Sequence, residues 1–278
     1  MYLKNSLIFI CIIILSSFLL WLQCGKETAS EKNVNKKLLT CQKNIDQKKL
    51  QHCSTIINKH SNKIKKNTAK EYNNFGFALY KKKQVIEAAK IFECAIIKNK
   101  KFALAYYNLA CMNSLLHSKE IRNRCIYKKD KIFMHLKKAL SLQLSLRKNL
   151  IRDPDFEGMK KYVHYWQLYG LSLSKTEDVK KIVPYIKWQS GYRTGPGLLL
   201  KKDMTFEGSY FFEQDLTKRV ASRHGNYSVH GNVITLRFAI GKTIKVKLRP
   251  DGNMQIINDV HPLPDGDRVL HDGPICGY

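Results

Sequence analysis

A pattern of aromatic, small and apolar residues recurs in the first half of the chain at a spacing that suits two packed helices. Tyr72-x2-Phe75-Gly76-x2-Leu79 is followed by Ala88-x3-Phe92-x2-Ala95. The opening returns at Tyr106-x2-Leu109-Ala110, 34 residues after Tyr72, and Ile132-x3-Leu136-x2-Ala139 echoes the second half. Apolar positions three and four apart place one stripe on each helix. Gly76, Ala88 and Ala95 are small enough to let two backbones approach, while Tyr72, Phe75, Leu79 and Phe92 fill the gaps. The spacing predicts helices over residues 69–82 and 85–98. In the second pair the later helix arrives late, so about ten residues are inserted between its helices, within residues 116–127.

These residues resemble the tetratricopeptide repeat (TPR). The resemblance implies stacked helical hairpins that bind a protein partner on a concave face and rarely do chemistry. It makes first-helix residues Asn73, Asn74 and Tyr107, expected to be exposed, the candidates for partner contact. Residues 34–66 show two irregular apolar faces and read as a degenerate first hairpin. Asp153-Pro154-Asp155-Phe156-Glu157-Gly158 resembles the closing segment seen after bacterial TPR arrays. Physically it reads as a helix start, with Asp153 as cap, Pro154 in the first turn and acids at the positive end. Its three carboxylates lack the spacing of a calcium loop. Helices are expected over residues 160–169 and 179–182, and Pro184 ends the helical pattern.

From Tyr185 onward glycine becomes frequent and the apolar period falls to two. Strands are expected over residues 198–200, 205–212, 226–229, 233–238, 243–248 and 254–257, joined by short turns. Ile244, Val246 and Leu248 face one way and Lys245 and Lys247 the other, giving one buried and one wet face. The meander, carried by Asp203-x2-Phe206 and Gly225-x-Tyr227-x-Val229-x-Gly231-Asn232-x-Ile234-x-Leu236, resembles the small lipocalin-like domains of bacterial lipoproteins. That resemblance implies a barrel whose mouth can hold a ligand. The tail, residues 258–278, is expected to be irregular.

Residues 6–22 are uncharged, preceded by Lys4 and followed by Cys24 and Lys26. One lysine before an apolar core of about 17 residues describes an export signal rather than a long membrane span. The segment resembles a bacterial lipoprotein signal, which makes Cys24 the lipidated residue; an uncleaved anchor is the alternative. Either way the rest hangs from a membrane by a polar tether.

Lys+Arg 49 against Asp+Glu 22 gives a net charge of +27. The lysine pairs are spread along both halves rather than gathered on one aromatic-lined stripe, which argues against nucleic acid and reads as a solvated coat, with attraction to an anionic surface as the alternative. Apart from Cys11 and Cys24, the cysteines are Cys41, Cys53, Cys94, Cys111, Cys125 and Cys276, an even number that suits an oxidising compartment. Cys41 and Cys53 flank one predicted turn. Cys94 and Cys111 flank a second and Cys111 and Cys125 a third, so the disulfide pairing stays open.

No reactive motif stands out. His224 and His230 share strand parity, and His261, His271 and Cys276 lie in the tail, without ligand spacing. Glu207 and Glu213 share a strand face but suit outward, solvated positions. The expectation is an α+β chain: residues 1–24 signal or anchor, 25–35 tether, 36–183 TPR-like helices and 184–278 an antiparallel β domain. Its expected role is a non-catalytic, envelope-bound protein scaffold with no cofactor or metal. The alternative is an apolar small-molecule binder using the barrel. An enzyme would require a buried cluster of titratable groups.

Overall fold

Thr68 starts the first well-defined helix with a reciprocal cap. Its hydroxyl accepts from the Glu71 backbone N–H at 3.3 Å, and the Glu71 carboxylate accepts from the Thr68 N–H at 3.2 Å. That satisfies two donors that would otherwise be orphaned at a helix start. The structure, a computed structural model, describes residues 47–48, 50–55, 58, 68–119, 129–189, 197–208, 224–239, 241, 243–257 and 269–272. The chain divides into two compact units, Met1–Lys59 and His60–Tyr278. In the first, residues 47–48, 50–55 and 58 are helical and Cys53 is buried.

The second unit opens with α1 (Ala69–Lys81), α2 (Val85–Lys98), α3 (Ala103–Lys119) and α4 (Lys129–Leu142). Each packs on the next, and α1 also touches α3. A Cβ placed on Gly76 of α1 would come within 2.8 Å of the Phe92 ring of α2, so only glycine fits. Tyr72, Leu79, Ala88, Phe92, Ala95, Leu109, Ala110, Leu136 and Ala139 are buried, and Phe75 is half-buried. Alpha3 runs on to Lys119, so the predicted insertion begins as helix; its residues 120–128 lie outside the described ones. A 3-10 turn (Leu144–Leu146), α5 (Arg147–Leu150), a 3-10 segment (Pro154–Met159), α6 (Val163–Tyr169), α7 (Thr176–Ile182) and a last 3-10 turn (Val183–Tyr185) follow.

Eight antiparallel strands then close a barrel in chain order: β1 (Lys187–Gln189), β2 (Gly197–Leu200), β3 (Thr205–Gly208), β4 (His224–His230), β5 (Val233–Phe238), β6 (Thr243–Leu248), β7 (Met254–Ile256) and β8 (Val269–Asp272). The alternation fixes what points inward. Leu198, Leu200, Phe206, Tyr227, Ile234, Leu236, Ile244, Val246, Leu248, Met254 and Leu270 are all buried. Eight strands make an interior just wide enough for side chains to fill. Trp188 plugs it from β1, fully buried, with its indole N–H donating to the Gly252 carbonyl at 3.1 Å.

Two strands escape the sequence reading. Beta1 is three residues long, too short to show a period. Beta8 lies in the tail expected to be irregular, yet it pairs with β7 and with β1 and seals the barrel. Its existence depends on β1, more than 80 residues back, as well as on nearby β7. The helices and barrel are also tied together: the Gly231 N–H at the β4–β5 turn donates to Thr176 Oγ1 of α7 at 2.8 Å. Tyr185 packs its ring 4.6 Å from that of Trp166.

Cys53 is half of a disulfide and so is Cys94, whereas Cys111 is a free, buried thiol. This excludes both candidate bridges through Cys111, to Cys94 and to Cys125. The cause is orientation: its sulfur turns toward Asp153. Cys24, Cys41, Cys125 and Cys276 lie outside the described residues, as do the apolar segment at 6–22, Glu213 and His261. Among the described residues, no helix is long and apolar enough to cross a membrane.

Candidate functional site

The segment after α5 returns across the helices and docks on α1 and α3. Asp153 Oδ1 accepts from the Asp155 N–H at 3.0 Å, the capping role its sequence suggests. Its second oxygen does something the sequence does not announce. Tyr107 of α3 donates its hydroxyl to Asp153 Oδ2 at 2.8 Å, and the Cys111 sulfur lies 3.6 Å from the same oxygen. Tyr80 of α1 donates to Asp155 Oδ1 at 3.0 Å, and Ser114 donates to the Asp155 carbonyl at 2.6 Å. Phe156 is fully buried, edge-on to Tyr107 with ring centroids 5.5 Å apart. Gly158 sits so close to Ser118 of α3 that an added Cβ would fall 2.1 Å from its hydroxyl oxygen.

This docking corrects one expectation. Asn73 and Tyr107, expected on an exposed face, are only 4% and 5% exposed. Asn73 accepts from the Asn108 amide at 2.9 Å, linking α1 to α3. Asn74 is exposed.

Between these elements lies a pocket of about 190 Å³, lined by Phe77 and Tyr80 from α1, Phe92 from α2, Asn108, Cys111 and Met112 from α3, and Asp153 and Asp155. Phe77 stands at 45% exposure, and its ring centroid lies 5.9 Å from that of Tyr80. Ligand atoms of Cys111, Asp153 and Asp155 all lie within 4.8 Å of one another. The environment disfavours ionisation. Burial, the hydrogen bond to Asp155 and its charge push Tyr80 up to about 12. Burial and then neighbouring Cys111 and Asp153 push Tyr107 higher still. Burial first, then the Asp153 and Asp155 charges, hold the Cys111 thiol far above its ordinary value. Burial also raises Asp155, with the Tyr80 bond opposing it and Asp153 adding to it. A thiol held protonated is a poor nucleophile. The arrangement offers negative charge and aromatic faces rather than a poised nucleophile.

A larger, open groove of about 950 Å³ lies on the outer face of β1–β5, against Lys187, Leu199, Lys201, Glu207, His224 and Arg237. Its size does not make it the better site. Glu207, considered in sequence as an acid or base, is ion-paired with Lys201. The strands beside it connect through residues 190–196 and 209–223, outside the described ones. His224 and His230 are exposed at opposite ends of β4, roughly 20 Å apart at strand rise, so they cannot share a metal.

Phe77, Tyr80 and Asn108 were not singled out by sequence. The one local signal is Phe77-x2-Tyr80, two aromatics three apart on α1, set off from the stripe of Tyr72, Gly76 and Leu79. Comparison with known proteins identifies no relative: no family model, curated protein or solved structure matches the chain.

Proposed function

We propose that this chain is a non-catalytic, lipid-anchored protein of a bacterial cell envelope that holds a protein partner on TPR-like helical hairpins. The observation that carries the reading is the exposed Phe77 ring at the mouth of a pocket built by α1, α2, α3 and residues 153–155. An exposed aromatic beside a concave, partly polar recess is the kind of anchor point that protein interfaces use. Protonated thiol and phenols beside the two carboxylates support binding over catalysis. The alternative is an apolar small molecule held in the barrel, whose inward residues, Leu236, Ile244 and Val246 among them, are apolar. The test is site-specific photocrosslinking in the full chain, in cells, from position 77 and from Gln255 on the outer barrel wall. A discrete protein adduct at 77 and none at 255 is expected; adducts at 255 alone would defeat the reading. The anchor has its own test: metabolic fatty-acid labelling should mark the wild type and vanish in Cys24→Ala.

A further inference from the structure

We infer that the pocket between α1, α3 and residues 153–155 receives a single lysine or arginine side chain from the partner segment, with Phe77 packing on its stem. This rests on the docking reading above and adds the chemistry of the occupant.

Size sets the first limit. At about 190 Å³ the pocket is smaller than the roughly 300–1,000 Å³ of sites for drug-sized ligands, so it suits one side chain. Charge sets the second. Asp153 and Asp155 receive hydrogen bonds only from hydroxyls, a thiol and a backbone N–H, and neither is ion-paired among the described residues. Asp155 Oδ2 accepts no hydrogen bond there. A half-buried carboxylate pair without a cation is costly, and an incoming ammonium or guanidinium removes that cost. The walls set the third. Phe77, Tyr80 and Phe92 present rings, and rings attract cations. Lys81 already holds its ammonium 5.0 Å from the Phe77 centroid. The +27 coat attracts anions everywhere, so a preference for a cation at this one place would be local and distinctive. A metal ion is a poorer fit, because both Asp153 oxygens already accept, from Tyr107 and from the Asp155 N–H.

The experiment screens a positional peptide library against the full chain at physiological ionic strength, where the charged coat is screened beyond about 8 Å. The best peptide is then remade with norleucine or acetyl-lysine at the favoured basic position. Expected is a Lys or Arg preference at one position and about tenfold weaker binding for either replacement, the size of one charge-assisted bond. Asp155→Asn should erase that difference without lowering the melting temperature, because the amide oxygen still accepts from Tyr80. Phe77→Ala should weaken all the peptides.

Peptides that bind through Phe77 yet ignore the norleucine change would overturn the cationic assignment and leave the docking face standing. No peptide binding, together with no crosslink from position 77, would overturn both. Should Asp155→Asn prove unstable, the acetyl-lysine comparison decides alone. Saturable Zn²⁺ or Ca²⁺ binding lost in Asp155→Asn would assign the pocket to a metal. Concentration-dependent dimers dissolved by that substitution would assign it to a second copy. Either result would overturn the inference.

Discussion

Phe92 leaves Gly76 no room for a side chain, and that single contact sets how closely α1 and α2 approach. Gly76→Leu must push the ring or the helix aside. It should cost about 1–3 kcal/mol or more, read by denaturant unfolding, and an unchanged midpoint would refute the assignment. Tyrosines give a second residue-scale expectation. Tyr80 and Tyr227 are both pushed up to about 12, Tyr80 chiefly by burial and then by Asp155, Tyr227 by burial and then by Asp203. Unfolded tyrosine releases its proton near 10, so the folded state holds these protons longer. Their contribution is fully present below about pH 10 and is lost as pH rises toward 12. Alkaline unfolding should therefore steepen in that window, and Tyr80→Phe should make it shallower. The Gly76–Phe92 lock is readable in sequence because both residues belong to neighbouring helices with regular spacing. The burial of Tyr107 is not readable, because the segment that covers it arrives 46 residues later at Asp153.

Helix ends in this chain obey local rules, and the exceptions are informative. The Thr68–Glu71 box is legible as four residues of sequence. At the other end of α1, Lys83 adopts φ +61°, the left-handed conformation that glycine normally supplies after a helix. Its N–H donates to the Tyr80 carbonyl at 2.8 Å, and the Gln84 N–H to Leu79 at 3.1 Å, so the capping bonds form despite the side chain. Lys83→Gly should then raise stability by about 1 kcal/mol, visible as a higher melting temperature. The strands divide in the same way. Beta5 and β6 announce themselves through strict alternation around tight turns, whereas β1 and β8 pair only with each other and with strands at the barrel seam. Trp188 is the inward residue of β1. Trp188→Ala should cost about 3–5 kcal/mol by leaving a void in the lumen and an unpaired Gly252 carbonyl. A loss below 1 kcal/mol would mean that the barrel does not depend on its seam.

At the scale of the whole molecule, charge and aromatic surface meet at several places among the described residues, with Lys81 over Phe77 and Lys202 over Tyr185. Among the described residues every lysine is exposed or half-exposed, while the two carboxylates share a pocket with Phe77, Tyr80 and Phe92 and form no ion pair. The two broad architectures, helices first and an antiparallel barrel after, follow from the change of period near residue 185. The pocket does not follow from any period. It joins Tyr80 to Asp155 across 75 residues, and Asp153 and Asp155 look locally like ordinary helix caps. Only the return of residues 153–159 over α1 and α3 gives those carboxylates a second use. The binding account therefore depends on that return. A double-mutant cycle of Tyr80→Phe and Asp155→Ala, measured by denaturant unfolding of the full chain, probes it most directly. A coupling of about 0.5–3 kcal/mol is expected for two side chains in hydrogen-bonded contact. Additive effects within error would show that Tyr80 and Asp155 do not meet, and the pocket with its proposed occupant would go with them.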